Sequence, residues 1–373
     1  MAAALAYLAL DLMHLEHRVQ RLERKAERRA WRDTHDPFEL HDDVFINLFR
    51  LSPDLAIELV EELRPALERQ RPYGISVEHQ VLAALRFYAT GSYQGAVGES
   101  WDIGLSQPSI SRCVRDVTNC INRRLLRRWV RFPMTPEERY AAKLKFRDAP
   151  QPFPGAIGAM DCTYVQIFAP HENEEAFVNH HGDHTINVQA ICDPDFKLLN
   201  VNARYPGARN DYFIWSNSAV QRAMSRAYEN GERETWLIGD DGYFIEPWLM
   251  TPLKHEDVGT PRFLYNEALC KARCVIERCF GIFKAQFRCL SAQRKLMYDP
   301  EMAGKIVNAC AVLHNMRLEN NLNDVEVDPE EVALHRQANL PNPRQERDIN
   351  DQPLTMRAQG IRVQERIIAR HFT

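Results

Sequence analysis

The 373-residue chain has no C-x-x-C pair, no glycine-rich phosphate loop and no apolar run long enough to span a bilayer, and its net charge of −4 shows no excess of positive charge. Each absence narrows the field. Nine cysteines, an odd number without paired spacing, argue for reduced thiols in a cytosolic or nuclear protein rather than a disulfide framework. Cys270, Cys274, Cys279 and Cys289 cluster, but their spacing fits no standard zinc motif, and buried thiols are the simpler reading. Without a long apolar run there is no transmembrane helix. The opening "MAAALAYLALDLMHL" lacks a basic leading region and soon meets Asp11, Glu16 and His17, so it reads as a helix rather than a signal peptide. The missing phosphate loop argues against hydrolysis of a small nucleotide. Net charge does not announce a nucleic-acid binder, yet charge is segregated. Arg123, Arg124, Arg127, Arg128 and Arg131 form a basic run without an acid, whereas Asp324 to Asp351 is mostly acidic. Local patches, more than the sum, decide what a surface attracts.

What is present reads as two textures. Leu5, Leu8, Leu12, Leu15, Val19 and Leu22 are spaced as a heptad seam over roughly three heptads, followed by the basic "RLERKAERRAWR". This predicts either a self-association helix over 1–30 or a helix packed on its own domain. Residues 36–131 read as all-helical. Ser52 and Ser76 sit at N-cap positions, and Gly91 stops the second of those helices. A short helix over about Tyr93 to Trp101, a turn at Gly104 and a helix behind Ser106 with Pro108 in its first turn resemble a helix–turn–helix. The second helix would expose Gln107, Ser109, Ser111, Arg112 and Arg115. An ordinary three-helix packing unit is the alternative.

"APQPFPG" then breaks the chain, and the texture changes. "GAIGAMDCTYVQIFAP", "TINVQAICDPDFKLLNVNARYPG" and "ETWLIGDDGYF" read as strands, with "DPD" as a hairpin turn. "NDYFIWSNSAVQRAMSRAYEN" reads as one amphipathic helix. Three strands, a helix, a strand and further helices make an α/β core with a mixed sheet. Residues 323–353 lose periodicity and read as an acidic linker. "IRVQERIIARHF" is either a docking helix or a basic tail.

The carboxylates are the informative part. A charged group inside a core strand is costly unless it meets a cation. Asp161 lies in "GAMDCTYVQI", where alternation puts Ala159, Asp161, Thr163 and Val165 on one side. Asp240 ends "TWLIGD", and a parallel neighbour of the first strand would set it beside Asp161; a turn role before Gly242 is the alternative. Asp211 in "PGARND" stands at a helix start, where it could simply be an N-cap. In "ARCVIERCFGIFKAQFRCL", at 100° per residue, Glu277, Gly281, Lys284 and Arg288 fall within about 80° of Arg273. Ile276, Cys279, Phe280, Phe283, Phe287 and Leu290 take the other side. Glu277 is therefore either half of a solvated Arg273–Glu277 pair or a carboxylate aimed at a metal, with cations beside it for phosphates. Carboxylates from separate elements suit a hard divalent ion, and two such ions about 3.5–4 Å apart can activate a water and stabilise a departing oxygen. "NHHGDH", from Asn179 to His184, lacks the paired spacing of transition-metal ligands and reads as a hairpin loop.

At these residues the chain resembles the PIF/Harbinger-type DDE transposases, and among them the Harbinger-transposase-derived nucleases of animals. "GAMDCTYVQI", "YPGARNDYFIWSNS", "GDDGYFIEPWLMTP" and "RCVIERCFGIFKAQFRCL" carry the resemblance, in order, over about 155–320. It implies a ribonuclease H-like α/β fold, a mixed sheet with flanking helices behind the helical N-terminal region. It also implies a carboxylate cluster that binds Mg²⁺ or Mn²⁺ and cuts DNA. By motif the triad is Asp161, an aspartate of the middle motifs and Glu277. The motif around Asp211 is commonly the marked one, while topology favours Asp240, so all four acids are expected at the site. Asn210 stands where family members usually carry histidine. The Arg273, Glu277, Lys284 pattern is also similar to a signature of bacterial insertion-sequence transposases, with Cys270 in place of its tyrosine.

The expected organisation is a heptad helix over 1–30, a helix–turn–helix-like domain over 36–131, a nuclease domain over 150–322, and an acidic linker with a short basic end over 323–373. Arg273, Lys284 and Arg288 are expected on phosphates, with Arg124, Arg127 and Arg128 of the basic run and Arg112 and Arg115 of the helical domain also on DNA. The resemblance suggests a Myb-like DNA-binding partner protein. A homo-oligomer through the first helix and a location in the nucleus, or also the cytoplasm, complete the expectation. The rival is a catalytically silent DNA-binding or scaffold protein that keeps the fold.

Overall fold

The computed structural model describes residues 2–68, 74–100, 102–322 and 354–372; the expected acidic linker over 323–353 and Trp101 lie outside the described residues. The chain forms two compact units, Met1–Cys120 and Ile121–Thr373. The division falls before the basic run, rather than at the proline break, because the helix that precedes that break packs on the first strand of the second unit.

The first unit is helical. α1 (Ala2–Thr34), α2 (Asp42–Phe49), α3 (Pro53–Leu67), α4 (Val77–Thr90) and α5 (Gln94–Glu99) lead into α6 (Gln107–Arg124). Side-chain caps start two of them: Ser52 Oγ accepts from Leu55 N and Ser76 Oγ from His79 N, both at 3.3 Å. Gly91, at φ 60°, ends α4 in the left-handed region that favours glycine. Phe45, Phe49, Leu59, Leu63, Val81, Leu85 and Tyr88 fill the core. In α6 the residues Gln107, Arg112 and Arg115 are exposed, while Ser109 and Ser111 are half-buried.

The second unit begins with the rest of α6, then α7 (Leu126–Trp129) and α8 (Pro136–Arg147). Among the described residues five strands follow: β1 (Ala156–Gln166), β2 (Thr185–Cys192), β3 (Leu198–Pro206), β4 (Trp236–Ile238) and β5 (Leu249–Met250). Their order in the sheet is β3-β2-β1-β4-β5, with β1, β2 and β3 antiparallel and β4 and β5 parallel to β1. Apolar alternation and the "DPD" turn located the first four; β5 was not anticipated, because two residues carry no period. The single helix expected over "NDYFIWSNSAVQRAMSRAYEN" is two. α9 (Asp211–Ser216) stops, and Ser218 caps α10 (Ala219–Glu229) by accepting from Gln221 N at 3.0 Å. One face of the sheet, with Met160, Cys162 and Leu237, packs against Ile214, Trp215, Val220 and Met224. Long helices α11 (Pro261–Gln286) and α12 (Pro300–Glu319) also pack on the sheet, α11 on β1 and β2 and α12 chiefly on β3.

Gly304 sets how close α12 comes. A Cβ there would lie 2.2 Å from the carbonyl oxygen of Ala203 on β3. Helix propensity alone would favour Gly304→Ala by about 1 kcal/mol. The backbone clash outweighs it, so the substitution is expected to lower stability by about 1–3 kcal/mol net, read by urea unfolding. A variant as stable as the parent would mean that α12 rides farther from β3.

The C-terminal segment is the docking helix of the two alternatives. α13 (Leu354–His371) buries Val363, Gln364, Ile367 and Ile368. Gln364 Nε2 donates to Thr251 O at 2.8 Å, and Arg262 pairs with Glu365 at 2.6 Å. Among the described residues no helix is long and apolar enough to cross a membrane.

Candidate metal centre and active site

Three carboxylates meet where β1, β4 and α9 come together. Parallel pairing of β1 with β4, with Ala159 opposite Ile238, carries Asp161 and Asp240 to adjacent places. Asp211 opens α9, but it is not the cap: Asn210 Oδ1 accepts from Phe213 N at 2.7 Å, which frees the aspartate to turn toward the strands. Asp161, Asp211 and Asp240 each offer an oxygen within 4.8 Å of the others. All three are half-buried. The N-cap and turn alternatives for Asp211 and Asp240 therefore do not account for them, although Asp240 Oδ1 does also accept from Gly242 N at 2.8 Å.

The electrostatics follow from that crowding. Burial, then the neighbouring Asp240, pushes the Asp161 carboxyl well above its ordinary range, and Arg273 opposes the shift. Asp211 is pushed up to about 6 by burial and by Asp240. Like charges held this close bind a proton or a cation more readily than isolated ones.

Glu277 stands one link away. Arg273 Nη1 donates to Asp161 Oδ2 at 3.1 Å, and its Nη2 donates to Glu277 Oε1 at 2.6 Å. The intrahelical pair expected of Glu277 forms, and its guanidinium reaches Asp161, while Glu277 itself stands outside the group of three carboxylates. The pair is not on a solvated face, since the two side chains are 18% and 25% exposed against β1.

One expected phosphate contact and one expected stripe position need correction. Lys284 is buried, and its Nζ donates to the backbone carbonyl of Tyr164 on β1 at 2.7 Å. Burial lowers its pKa to about 7. Arg288 is exposed but lies beyond α11, which ends at Gln286, so it does not share the stripe of Arg273 and Glu277. Arg112, Arg115, Arg123, Arg124, Arg127 and Arg128 are all exposed, and the Arg128 guanidinium lies over the Trp129 ring.

Three residues at this site had no role foreseen for them. Asn187 Nδ2 donates to Arg209 O at 2.9 Å and to Asp211 Oδ1 at 3.2 Å, fixing the second aspartate. Its Oδ1 is buried without a hydrogen-bond partner. An amide inside the apolar "TINVQAIC" was the available signal. Tyr243 is buried beside Cys162, its hydroxyl 3.3 Å from Sγ, and that hydroxyl accepts from Gln189 Nε2 at the same distance. Gly242 leaves space: a Cβ there would lie 2.9 Å from Asp240 Oδ1 and 3.4 Å from Asp211 Oδ2.

The residues fit a hard divalent cation. The donors are oxygens from three separate elements, the charge is concentrated, and the glycine keeps the approach open. Among the described residues this is the one group of three or more His, Cys, Asp or Glu side chains so placed. The "NHHGDH" histidines are engaged elsewhere: His184 Nε2 lies 2.8 Å from Glu174 Oε1, and His180 Nδ1 lies 3.2 Å from the Tyr164 hydroxyl. The nine cysteines are all free thiols.

Residues 160–315, which include all four acids, match the family model described as a DDE superfamily endonuclease. A Bos taurus protein named "Putative nuclease HARBI1" is 35% identical over 320 residues, covering 82% of this chain and 89% of that protein. The Homo sapiens protein of the same name matches with the same identity and the same coverage. "Protein ALP1-like" of Arabidopsis thaliana is 24% identical over 254 residues, 65% of this chain and 61% of that protein. No solved structure matches the chain.

Proposed function

The chain belongs to the Harbinger-transposase-derived nucleases, within the DDE superfamily endonucleases, and from that membership we propose that it is a metal-dependent DNA endonuclease with a ribonuclease H-like core. The observation that carries the reading is the convergence of Asp161, Asp211 and Asp240 within 4.8 Å of one another, with Arg273 tying Glu277 to them. Asp161, Asp211 and Asp240 would hold Mg²⁺ or Mn²⁺. Two such ions, when bound, would lower the pKa of a water and offset the charge on a departing 3′ oxygen.

The protein's own groups do the rest. Asn187 orients Asp211, and the Asp240 carboxylate is held by the Gly242 amide. Arg273 offsets the negative charge of the cluster before DNA arrives. On the second unit Arg123, Arg124, Arg127 and Arg128 would take phosphates, with Arg288 a further candidate. On the first unit Arg112 and Arg115 of the helix–turn–helix-like α6 would do the same. Contacts of this kind are salt-sensitive and blind to sequence, which leaves target choice to a Myb-like partner protein. The substrate and the reduced thiols are compatible with action in the nucleus, or also in the cytoplasm.

Incubation with supercoiled plasmid tests the reading. Nicked circles are expected with Mg²⁺ or Mn²⁺, none with EDTA, and recovery when metal is restored. Either metal should also raise the melting temperature. No nicking with either ion, together with no metal-dependent rise in melting temperature, would sink the proposal.

A further inference from the structure

α1 presents an apolar seam to solvent. Leu12, Leu15 and Leu22 are 59%, 59% and 64% exposed, and Val19 is 46% exposed. The helix is tied to its own unit at the other end, where Arg32 Nη1 donates to Gly104 O at 2.5 Å. The seam residues keep the alternating spacing of three and four that begins at Leu5 and Leu8 in the sequence. Leu5, Leu12 and Val19 then occupy the first core position of each heptad, and Leu8, Leu15 and Leu22 the second. A seam of large side chains held in water is a standing cost that a matching helix removes.

We propose that α1 pairs antiparallel with α1 of a second copy of this chain. Leu12 would pack against the partner's Leu15 at the centre of the described seam. The orientation comes from the charges that flank the seam. Asp11 and Arg18 precede the first core position of successive heptads, while Glu16 and Glu23 follow the second. In a parallel pair, each preceding residue meets the following residue of the next heptad across the interface. Asp11 would face the partner's Glu16, a repulsion that cancels the attraction of Arg18 for the partner's Glu23. In an antiparallel pair the preceding residues face each other. Asp11 meets the partner's Arg18 and Arg18 meets the partner's Asp11.

The remainder of the helix argues the same way. Beyond Leu22 the chain carries Arg24, Lys25, Arg28, Arg29 and Arg32. A parallel pair would run two such segments side by side. An antiparallel pair sends them to opposite ends, each past the start of the other helix, where they repel least. This association does not depend on the nuclease reading, since a monomer could also cut DNA.

Light scattering on the full chain after size exclusion tests it. The mass is expected at twice 43.3 kDa. Leu15→Glu should return it to 43.3 kDa with an unchanged melting temperature, because Leu15 is 59% exposed in its own chain. Asp11→Arg should weaken the dimer by roughly tenfold, as two attractive pairs become repulsive. Adding Arg18→Asp should restore it. A monomeric wild-type protein, a dimer indifferent to Leu15→Glu, or a dimer tightened by Asp11→Arg would each overturn the proposal, the last by showing parallel pairing.

Discussion

Asp161→Asn is expected to lower plasmid nicking in Mg²⁺ by on the order of 10³-fold while leaving the metal-free fold intact. The loss is large because an anionic ligand on the central strand disappears, and metal stabilisation of developing charge is worth several kcal/mol. Stability should move the other way or not at all. Burial and Asp240 hold the Asp161 carboxyl well above its ordinary range, so the ionised form is disfavoured in the folded chain. A group raised on folding loses its stabilising contribution as pH rises, so a neutral amide there gains on the carboxylate toward alkaline pH. The opposing effect is the lost partner of Arg273 Nη1, but Nη2 keeps Glu277. Melting curves with and without Mg²⁺ separate the two roles. The metal-dependent rise should vanish in the variant while the metal-free melting temperature stays level or climbs. Nicking that survives would place the metal elsewhere. Glu277→Gln is the comparison: acting through Arg273, it should cost about 10–100-fold, as groups that orient a ligand do. A loss equal to that of Asp161→Asn would put Glu277 among the direct ligands.

The core of this site was legible because strands have a rigid period. An acid at Asp161, in an apolar strand, had one face to occupy, and a strand paired parallel to it had to bring Asp240 alongside. The hairpin at "DPD" followed from turn chemistry. Angles on α11 were also correct for Arg273 and Glu277, yet they could not say what the stripe faced. A helical wheel gives direction, not neighbours. The same stripe that offers Arg273 to Asp161 drives Lys284 into β1, where it holds a backbone carbonyl. Arg288 was misplaced because Phe287, at φ −113° and ψ 78°, ends the helix, and nothing local such as glycine or proline marks that stop. Asn187 was missed for a different reason. Its partner Asp211 is 24 residues away, and only the fold joins them. The split between α9 and α10 was a signal passed over: "SNS" contains the cap at Ser218, and amphipathic spacing on both sides hid the break.

Glu246→Gln is expected to stabilise the protein at pH 8 by up to about 3 kcal/mol and to make no difference near pH 4.5. Glu246 is 1% exposed, between β4 and β5, and burial pushes its carboxyl up from 4.5 to about 7. The folded chain therefore holds a proton there that the unfolded chain releases between those values. Folded stability must fall as pH rises through that window and level off above about 7. Glutamine removes the ionisation and keeps an oxygen for Trp215 Nε1, which donates to Glu246 Oε2 at 3.0 Å. That bond has a functional side. Trp215 belongs to the helix that Asp211 begins, and Glu246 to the segment that follows Asp240, so the contact ties together the two elements that carry the second and third carboxylates. Glu246→Ala would leave the buried indole nitrogen unpaired, at a cost of about 1–3 kcal/mol. It should therefore lower both stability and nicking, whereas the glutamine variant should keep nicking near the parent level. Urea unfolding across pH 4.5 to 8, read beside plasmid nicking, distinguishes these outcomes. If the glutamine and parent curves ran parallel over the whole range, Glu246 would titrate with its ordinary pKa and the carboxyl would not be buried as described. If alanine left nicking untouched, the Trp215 contact would have no part in spacing Asp211 from Asp240.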